Sequence, residues 1–421
     1  MTDTLTAPPV DALSELRAIT DPAELEARLV ASAAALRDDL IAAAPEAEKL
    51  THIPPHIEAK LEDAGLYRMF IPRAHGGLEV SPSTFSKVVI EIAKGDMGMA
   101  WNFCLAANHA LMLANWFPVD IHEEVYAGGI FKAASMYAPT FTAEPVDGGW
   151  TLNGVVNFCS GIPYSTHFIG QARLPGKQES GAPRIGLVLA PADTFEVLDD
   201  WGRTLGLNSS GSNSIRFEKA FLPSKYLIED ADLTFYNYTD GKSPGEEAYG
   251  NPYYNARHMS SFAMMLGMIT VGAAWGALNE YGRLMVERKT TIPPFIPRTQ
   301  DPDFQRYYGW AKVQILKADY AIRETWLEWE RLASTSNGEG GNVFTVEADN
   351  LIGCVGRDVM LDMWNVVQEL MKTIGSAAST KGERFERQFR DMAQAAGHRN
   401  PQLKDMAYRF VAKDDFGVPR F

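Results

Sequence analysis

Apolar positions recur every three to four residues through the first third of the chain. Leu25, Leu29, Leu36 and Leu40 keep helical spacing. Asp21-Pro22-Ala23-Glu24 ahead of them reads as an N-cap, a proline at the first helical position and a capping-box glutamate. A second helix ends at Gly65, a third carries Phe85, Val89 and Ile92, and Met97 to Phe117 is another apolar, aromatic-rich helical stretch. Near residue 134 the pattern changes. Trp150–Phe158, His167–Leu174, Arg184–Ala190, Phe195–Trp201 and Ser214–Leu222 are short and rich in β-branched and aromatic residues, with turn signals such as Asp147-Gly148-Gly149 and Pro175-Gly176 between them. They predict a compact antiparallel β domain. Residues 229–256 read as a long aromatic and acidic loop. Helical periodicity returns over roughly 257–289, 303–335, 344–373 and 383–397, broken by TIPPFIPRTQDP, STSNGEGGN and IGSAASTKG, which suggests a four-helix bundle. The expectation is a mostly α protein with a central β domain: residues 1–133 helical, 134–235 β, 236–421 a bundle. No internal repeat is visible.

Met259 to Asn279 carries no charge and contains Gly272 and Gly276 as GxxxG, so by length alone it could span a membrane. A fully buried bundle helix explains it better, because the chain offers no second such span. The 421 residues are 46% hydrophobic and 22% charged, an ordinary globular composition. A formal net charge of −14 argues against a nucleic-acid surface and against binding an anionic membrane surface. Cys104, Cys159 and Cys354 form no CxxC pair, and the acidic N-terminus lacks a basic-then-apolar signal pattern; a cytoplasmic location is expected.

No GxGxxG follows a strand, and no GxxxxGK[ST] or GxSxG is present, so no Rossmann dinucleotide site, P-loop or nucleophile elbow is expected. His52 and His56 stand as HIPPH, but two prolines preclude the one-face helical pair that a zinc site would use. These read as surface loop histidines, and no metal is expected.

Four stretches resemble one family. Asn153-Gly154-Val155-Val156-Asn157-Phe158-Cys159-Ser160 is similar to the NGxKxWIT strand of acyl-CoA dehydrogenases. Leu205-Gly206-Leu207-Asn208-Ser209-Ser210, followed by Phe217–Pro223, resembles their LGLRGS segment and the strand after it. Glu287-Arg288-Lys289 resembles ERKxFG, and Glu386-Arg387-Gln388-Phe389-Arg390-Asp391 matches ERxxRD. The resemblance covers nearly the whole chain. It implies an N-terminal helical domain, a β-barrel middle, a C-terminal four-helix bundle and a flavin beside the β domain.

The chemistry departs from a dehydrogenase. Such an enzyme needs a carboxylate to take the proton α to the thioester. Most of the family place that glutamate eight residues after the RD aspartate, where this chain has Arg399 preceded by His398. Other members place it at the start of the first bundle helix, and here residues 251–279 contain no Asp or Glu. The TEPxAGSD loop is replaced by Ala134-Ser135-Met136-Tyr137-Ala138-Pro139, and Thr290-Thr291 stands for the Phe-Gly after ERK. These departures resemble the oxygenase components of two-component monooxygenases, such as p-hydroxyphenylacetate 3-hydroxylase. That resemblance implies reduced FMN (or FAD) delivered by a separate NAD(P)H:flavin reductase, O2 as co-substrate, a C4a-hydroperoxyflavin, and hydroxylation of a small aromatic, a phenol or an indole. It also implies a homotetramer.

On this reading Ser160 contacts flavin N5, or else caps a strand-end turn before Gly161. Phe158 replaces the family's tryptophan beside the flavin ring, and Cys159 is a small packed residue. His398 projects from the end of the last helix as acid/base for the substrate or the peroxide oxygen, or else caps that helix's C-terminus. His109 and Ser135 match residues that bind the substrate phenol, though a histidine in an apolar helix is also a common core residue. Arg288 contacts flavin phosphate or pairs with a neighbouring acid. Ser376 and Ser379 contact flavin or lie in a plain linker. Arg257 could meet a substrate carboxylate. Trp101, Phe103, Trp116 and Tyr137 suit a flat ring and equally suit a core. An N- or S-oxygenating relative, an acyl-CoA dehydrogenase with a displaced base, and a non-catalytic flavin binder remain as alternatives.

Overall fold

The computed structural model describes residues 12–179, 181–233, 243–335 and 344–420. The acidic N-terminus to residue 11, residues 234–242 of the aromatic loop and residues 336–343 around the STSNGEGGN connection lie outside them.

Seven helices come first: α1 (Ala12–Ala18), α2 (Pro22–Ala35), α3 (Arg37–Leu50), α4 (Pro55–Asp63), α5 (Pro82–Gly95), α6 (Met97–Trp116) and α7 (Val119–Tyr126). Asp21 caps α2 through the Ala23 N–H at 3.0 Å, with Pro22 just inside. The leucine pattern that predicts one helix through residue 40 is shared by two, because the chain turns at Leu36, whose N–H bonds back to Ala33 and Ala34. Every residue of α6 except Leu105 is buried, so it runs through the centre of the molecule.

The strands are β1 (Ala133–Val146), β2 (Gly149–Val156), β3 (His167–Lys177), β4 (Pro183–Pro191), β5 (Glu196–Val197), β6 (Ile215–Pro223) and β7 (Leu227–Ile228). They form one seven-stranded sheet in the order β5-β6-β2-β1-β3-β4-β7 rather than a closed barrel. Two further expectations fail. The longest strand, β1, is absent from the sequence reading, because Pro139 and the scattered alanines of AASMYAPTFTAEPV hide the alternation. The sheet also absorbs Pro139 where the β1–β3 register breaks, between Met136 and Phe141. The domain is not wholly antiparallel either, since β3 returns beside β1 and pairs with it in parallel. The segment Phe195–Trp201 supplies only the two residues of β5.

After α8 (Pro244–Tyr249) the expected bundle follows: α9 (Met259–Glu287), α10 (Pro302–Thr335), α11 (Val346–Ile374) and α12 (Arg384–Ala396). Two short helices then end the chain, α13 (Arg399–Gln402) and α14 (Lys404–Asp415). The apolar helix is α9, and 89% of its most apolar window is buried inside the protein. Its GxxxG serves contacts within the chain. A Cβ at Gly272 would lie 2.5 Å from the Ile90 carbonyl of α5, and one at Gly276 would lie 2.7 Å from the Lys94 carbonyl. The glycines let α5 and α9 cross at backbone distance.

Candidate active site

The central helix α6 organises the site. Asp96 caps it, accepting from the Met99 N–H at 2.8 Å. One turn in, the Trp101 indole N–H donates to Ser160 Oγ at 3.0 Å, and the same indole meets His398 edge-on, with centroids 5.5 Å apart. Two turns further, about 12 Å along the axis, α6 carries His109.

Ser160 lies in the turn that follows β2. That turn is zipped to residues 210–214. The Cys159 N–H donates to Asn213 O at 3.0 Å, and the Gly161 N–H to Ser210 O at 3.1 Å and Gly211 O at 3.0 Å. Position 161 requires glycine: φ is +83°, and a Cβ there would lie 3.1 Å from the Asn102 carbonyl. Ser160 Oγ also meets Ser212 Oγ at 2.7 Å, which meets Ser210 Oγ at 2.6 Å. Phe158 is 48% exposed, tilted against Trp201 at 5.2 Å. Cys159 is buried with its sulfur toward Val156 O, and burial pushes its thiol up, so it is a packed and unreactive residue.

His398 answers differently from the sequence expectation. Helix α12 does end at Ala396, but His398 is extended and becomes the N-cap of α13, its Nδ1 accepting from the Asn400 N–H at 3.1 Å. An Nδ1 that accepts a backbone N–H cannot itself be protonated, so this cap favours the neutral ring. The residue is exposed, yet desolvation by the protein packed against the ring, Trp101 included, pushes its pKa down to about 4. With Nδ1 accepting, the neutral ring carries its hydrogen on Nε2. His398 is built as a hydrogen-bond donor, not as a group titrating near neutrality.

His109 is fully buried. Its Nδ1 bonds the Ala133 carbonyl at 2.6 Å, so that nitrogen holds the hydrogen and Nε2 is left as an acceptor with no partner among the described residues. Burial pushes its pKa down to about 4. Ser135 is half-buried two residues beyond Ala133 on β1, and no hydrogen bond among the described residues joins it to His109. Sequence reasoning missed a third group. His258, just ahead of α9, is buried with both ring nitrogens unpartnered among the described residues, edge-on to Trp116 at 5.2 Å. The residues ArgHisMetSerSer before an apolar helix are the only hint of it in the sequence. Burial, then His109 and Arg257, pushes its pKa down to about 3, against 6.5 for a free histidine. Its folded pKa is the lower one, so its contribution to stability is complete above pH 6.5 and is lost as pH falls toward 3. Between pH 7 and 5, wild type will lose about 2 kcal/mol more stability than His258→Asn. Denaturant titrations at the two pH values measure this, and equal losses would refute it.

The remaining predicted residues lie elsewhere. Arg257 faces Asp349, Nε to Oδ2 3.7 Å, and not a substrate carboxylate. Arg288 caps the end of α9 half-buried; burial, and then the Arg288 charge, lower the pKa of Arg298, which donates to the Ile374 carbonyl at 2.9 Å beside the exposed Ser376 turn. Neither Arg288 nor Ser376 reaches Ser160, Trp101 or His398 through a hydrogen bond or ring contact among the described residues. Trp116 and Phe103 are core residues, and Tyr137 is 37% exposed. His52 packs edge-on to Tyr164 at 5.6 Å. The ERxxRD stretch is structural. Arg387 and Arg390 both pair with Glu48 of α3, at 3.1 and 2.7 Å, and Asp391 accepts from the Leu207 N–H at 2.6 Å. Gly206 lies so close to Arg390 that a Cβ would stand 2.2 Å from its carbonyl. Helix α12 therefore clasps the loop that carries Ser210 and Ser212.

Comparison with known proteins agrees with this architecture. Residues 24–116 match the family described as acyl-CoA dehydrogenase, N-terminal domain. The oxygenase component of p-hydroxyphenylacetate 3-hydroxylase from Acinetobacter baumannii is 27% identical over 55% of this chain, which spans about half (53%) of that relative's length. The flavin-dependent monooxygenase oxygenase subunit HsaA from Rhodococcus jostii is 24% identical over 89% of this chain and 95% of its own length. Among solved structures, XiaF from Streptomyces sp. in complex with FADH2 and glycerol superposes with a TM-score of 0.83 at 20% identity, covering 95% of this chain and 98% of that one. Matched segment and solved structures agree that this chain has the acyl-CoA dehydrogenase fold, and its sequence is similar to flavin-dependent oxygenase components.

Proposed function

We propose that the chain is the oxygenase component of a two-component flavin-dependent monooxygenase that hydroxylates a small aromatic of the phenol or indole type. It takes reduced FMN, or FAD, from a separate NAD(P)H:flavin reductase. Bound reduced flavin supplies the reaction with O2. The residues present suit a flavin: a partly accessible hydroxyl, Ser160, stands beside the exposed ring of Phe158, next to Trp201. His398 presents Nε2–H to a bound group, His109 Nε2 accepts a hydrogen from the substrate, and Ser135 is a second substrate contact. The observation that carries the reading is this set of neutral donors and acceptors where a dehydrogenase needs a carboxylate. Position 399 is arginine, and the first acid of α9, Glu280, is tied to Arg283 at 2.5 Å. An acceptor at His109 also favours a substrate with an O–H or N–H over a sulfur heterocycle, which has no hydrogen to give.

Arg288 and Ser376 enter the proposal as flavin contacts made away from the Ser160 turn. A homotetramer in the cytoplasm belongs to the same reading. The outer face of α10 supports self-association, since Trp310, Val313, Tyr320 and Leu327 are all more than 40% exposed along it.

The test is anaerobic mixing with reduced FMN, followed by oxygenated buffer. The expected result is a long-lived absorbance phase before oxidised FMN appears, and a hydroxylated product when phenols or indoles are present. Reoxidation at the protein-free rate would sink the reading, and bleaching of bound FAD by acyl-CoA esters would replace it with a dehydrogenase.

A further inference from the structure

The three serines beside the site form a chain whose hydrogens can be counted. A hydroxyl has one hydrogen and two lone pairs. Trp101 Nε1 can only donate, so it fills one lone pair of Ser160. The contacts Ser160–Ser212 and Ser212–Ser210 can then run in two directions. Outward, Ser210 donates to Ser212, Ser212 to Ser160, and Ser160 points its hydrogen into the cleft. Inward, Ser160 accepts from the cleft and donates to Ser212, Ser212 donates to Ser210, and the Ser210 hydrogen is left over. Ser210 is 0% exposed, and its hydroxyl has no side-chain partner but Ser212 among the described residues. Inward polarity therefore strands a buried donor, which is costly.

Resting on the flavin reading above, we infer that Trp101, Ser212 and Ser210 are positioning residues that make Ser160 sense the redox state of the flavin. Flavin N5 is an acceptor when oxidised and carries a hydrogen when reduced. Oxidised flavin is matched by outward polarity. Reduced flavin requires the three hydroxyls to rotate inward, with no proton leaving the chain, and pays for it at Ser210. Trp101 keeps Oγ fixed in both states, since it occupies the same lone pair in each. The relay thus favours the cofactor state present at the end of turnover.

The sign of the effect is testable. Ser212→Ala disconnects half-exposed Ser160 from buried Ser210, so the cost at Ser210 becomes the same in both redox states, and reduced FMN should bind about five- to tenfold tighter relative to oxidised FMN. Ser210→Ala only moves the stranded hydrogen to Ser212, 3% exposed, and should leave the ratio close to that of wild type. The bound-flavin potential of Ser212→Ala should rise accordingly, by about 30 mV per tenfold. The shift should not appear in a Ser160→Ala background. In the flavin-free protein, the Trp101 indole N–H resonance should persist in Ser210→Ala and shift in Ser160→Ala. In Ser212→Ala, an unchanged ratio, a shift toward oxidised FMN, or a shift that survives Ser160→Ala would overturn the relay while leaving the flavin reading intact. Failure of wild type to bind FMN in either state would overturn both.

Discussion

Lys132→Met will cost the protein about 3–5 kcal/mol, enough to threaten folding at body temperature. Lys132 immediately precedes β1. Its side chain is 4% exposed, 2.5 Å from Glu58 and also bonded to Glu62, with its ammonium 4.1 Å from the Tyr67 ring centroid. Glu58 is equally buried and accepts from the Tyr67 hydroxyl at 2.8 Å. Burial raises the Glu58 pKa, and Lys132 is the main influence holding it back. Removing the lysine strands a carboxylate in the interior, so the loss exceeds the worth of the pair. The double variant Lys132→Met with Glu58→Gln should recover most of the stability, because glutamine is neutral and still accepts from Tyr67. Chemical denaturation measures both. A loss below about 1 kcal/mol for the single variant, or no recovery in the double, would refute the account. The Lys132 backbone also receives the Thr166 and His167 N–H groups, at 2.8 and 3.1 Å, and Ala133 next to it holds His109. Damage here therefore reaches the substrate end of the site.

His398→Ala will lower the product formed per flavin oxidised by roughly tenfold or more, with flavin reoxidation continuing. The donor it removes is Nε2–H, fixed by the bond from Asn400 to Nδ1. His398→Gln, whose amide offers a donor at similar reach, should restore part of the yield. Since the pKa lies near 4, the share of activity owed to His398 should stay flat from pH 6 to 8 and fall only toward pH 4. A step near pH 6.5 that vanishes in His398→Ala would show instead that the ring titrates as a general acid or base.

How much of this was legible follows from what each feature depends on. The buried helix α9 showed itself by the absence of charge, and the bundle helices by their period, because both signals are local. β1 left no such trace, since its length and its parallel partner are settled by the sheet around it. The position of His398 at the end of α12 could be read, but its capping of the next turn could not. It depends on three residues, Arg399 to Pro401, starting a new turn. Ser210, Ser212 and His258 stayed unread as site residues, and Trp101 read equally as pocket or core, for a different reason. A tryptophan and a histidine beside apolar helices look like core, and a serine-rich loop looks like a linker. Only the approach of α6 to the β domain joins Trp101 to the serines, and only the packing of the α9 entry on α6 sets His258 against Trp116.

Helix α6 carries Trp101 at one end of the site and His109 at the other, with Leu105 alone escaping full burial. Such a helix has almost no position free to vary. Altered substrate preference should therefore arise where the walls are more tolerant, at half-buried Ser135 on β1 and at Phe262 in the first turn of α9, whose ring lies 6.3 Å from His109. In a library selected for new substrates, the Trp101–Ser160 end would stay invariant while the wall around Ser135 and Phe262 diversifies, so evolvability in this protein is concentrated where α6 meets β1 and α9.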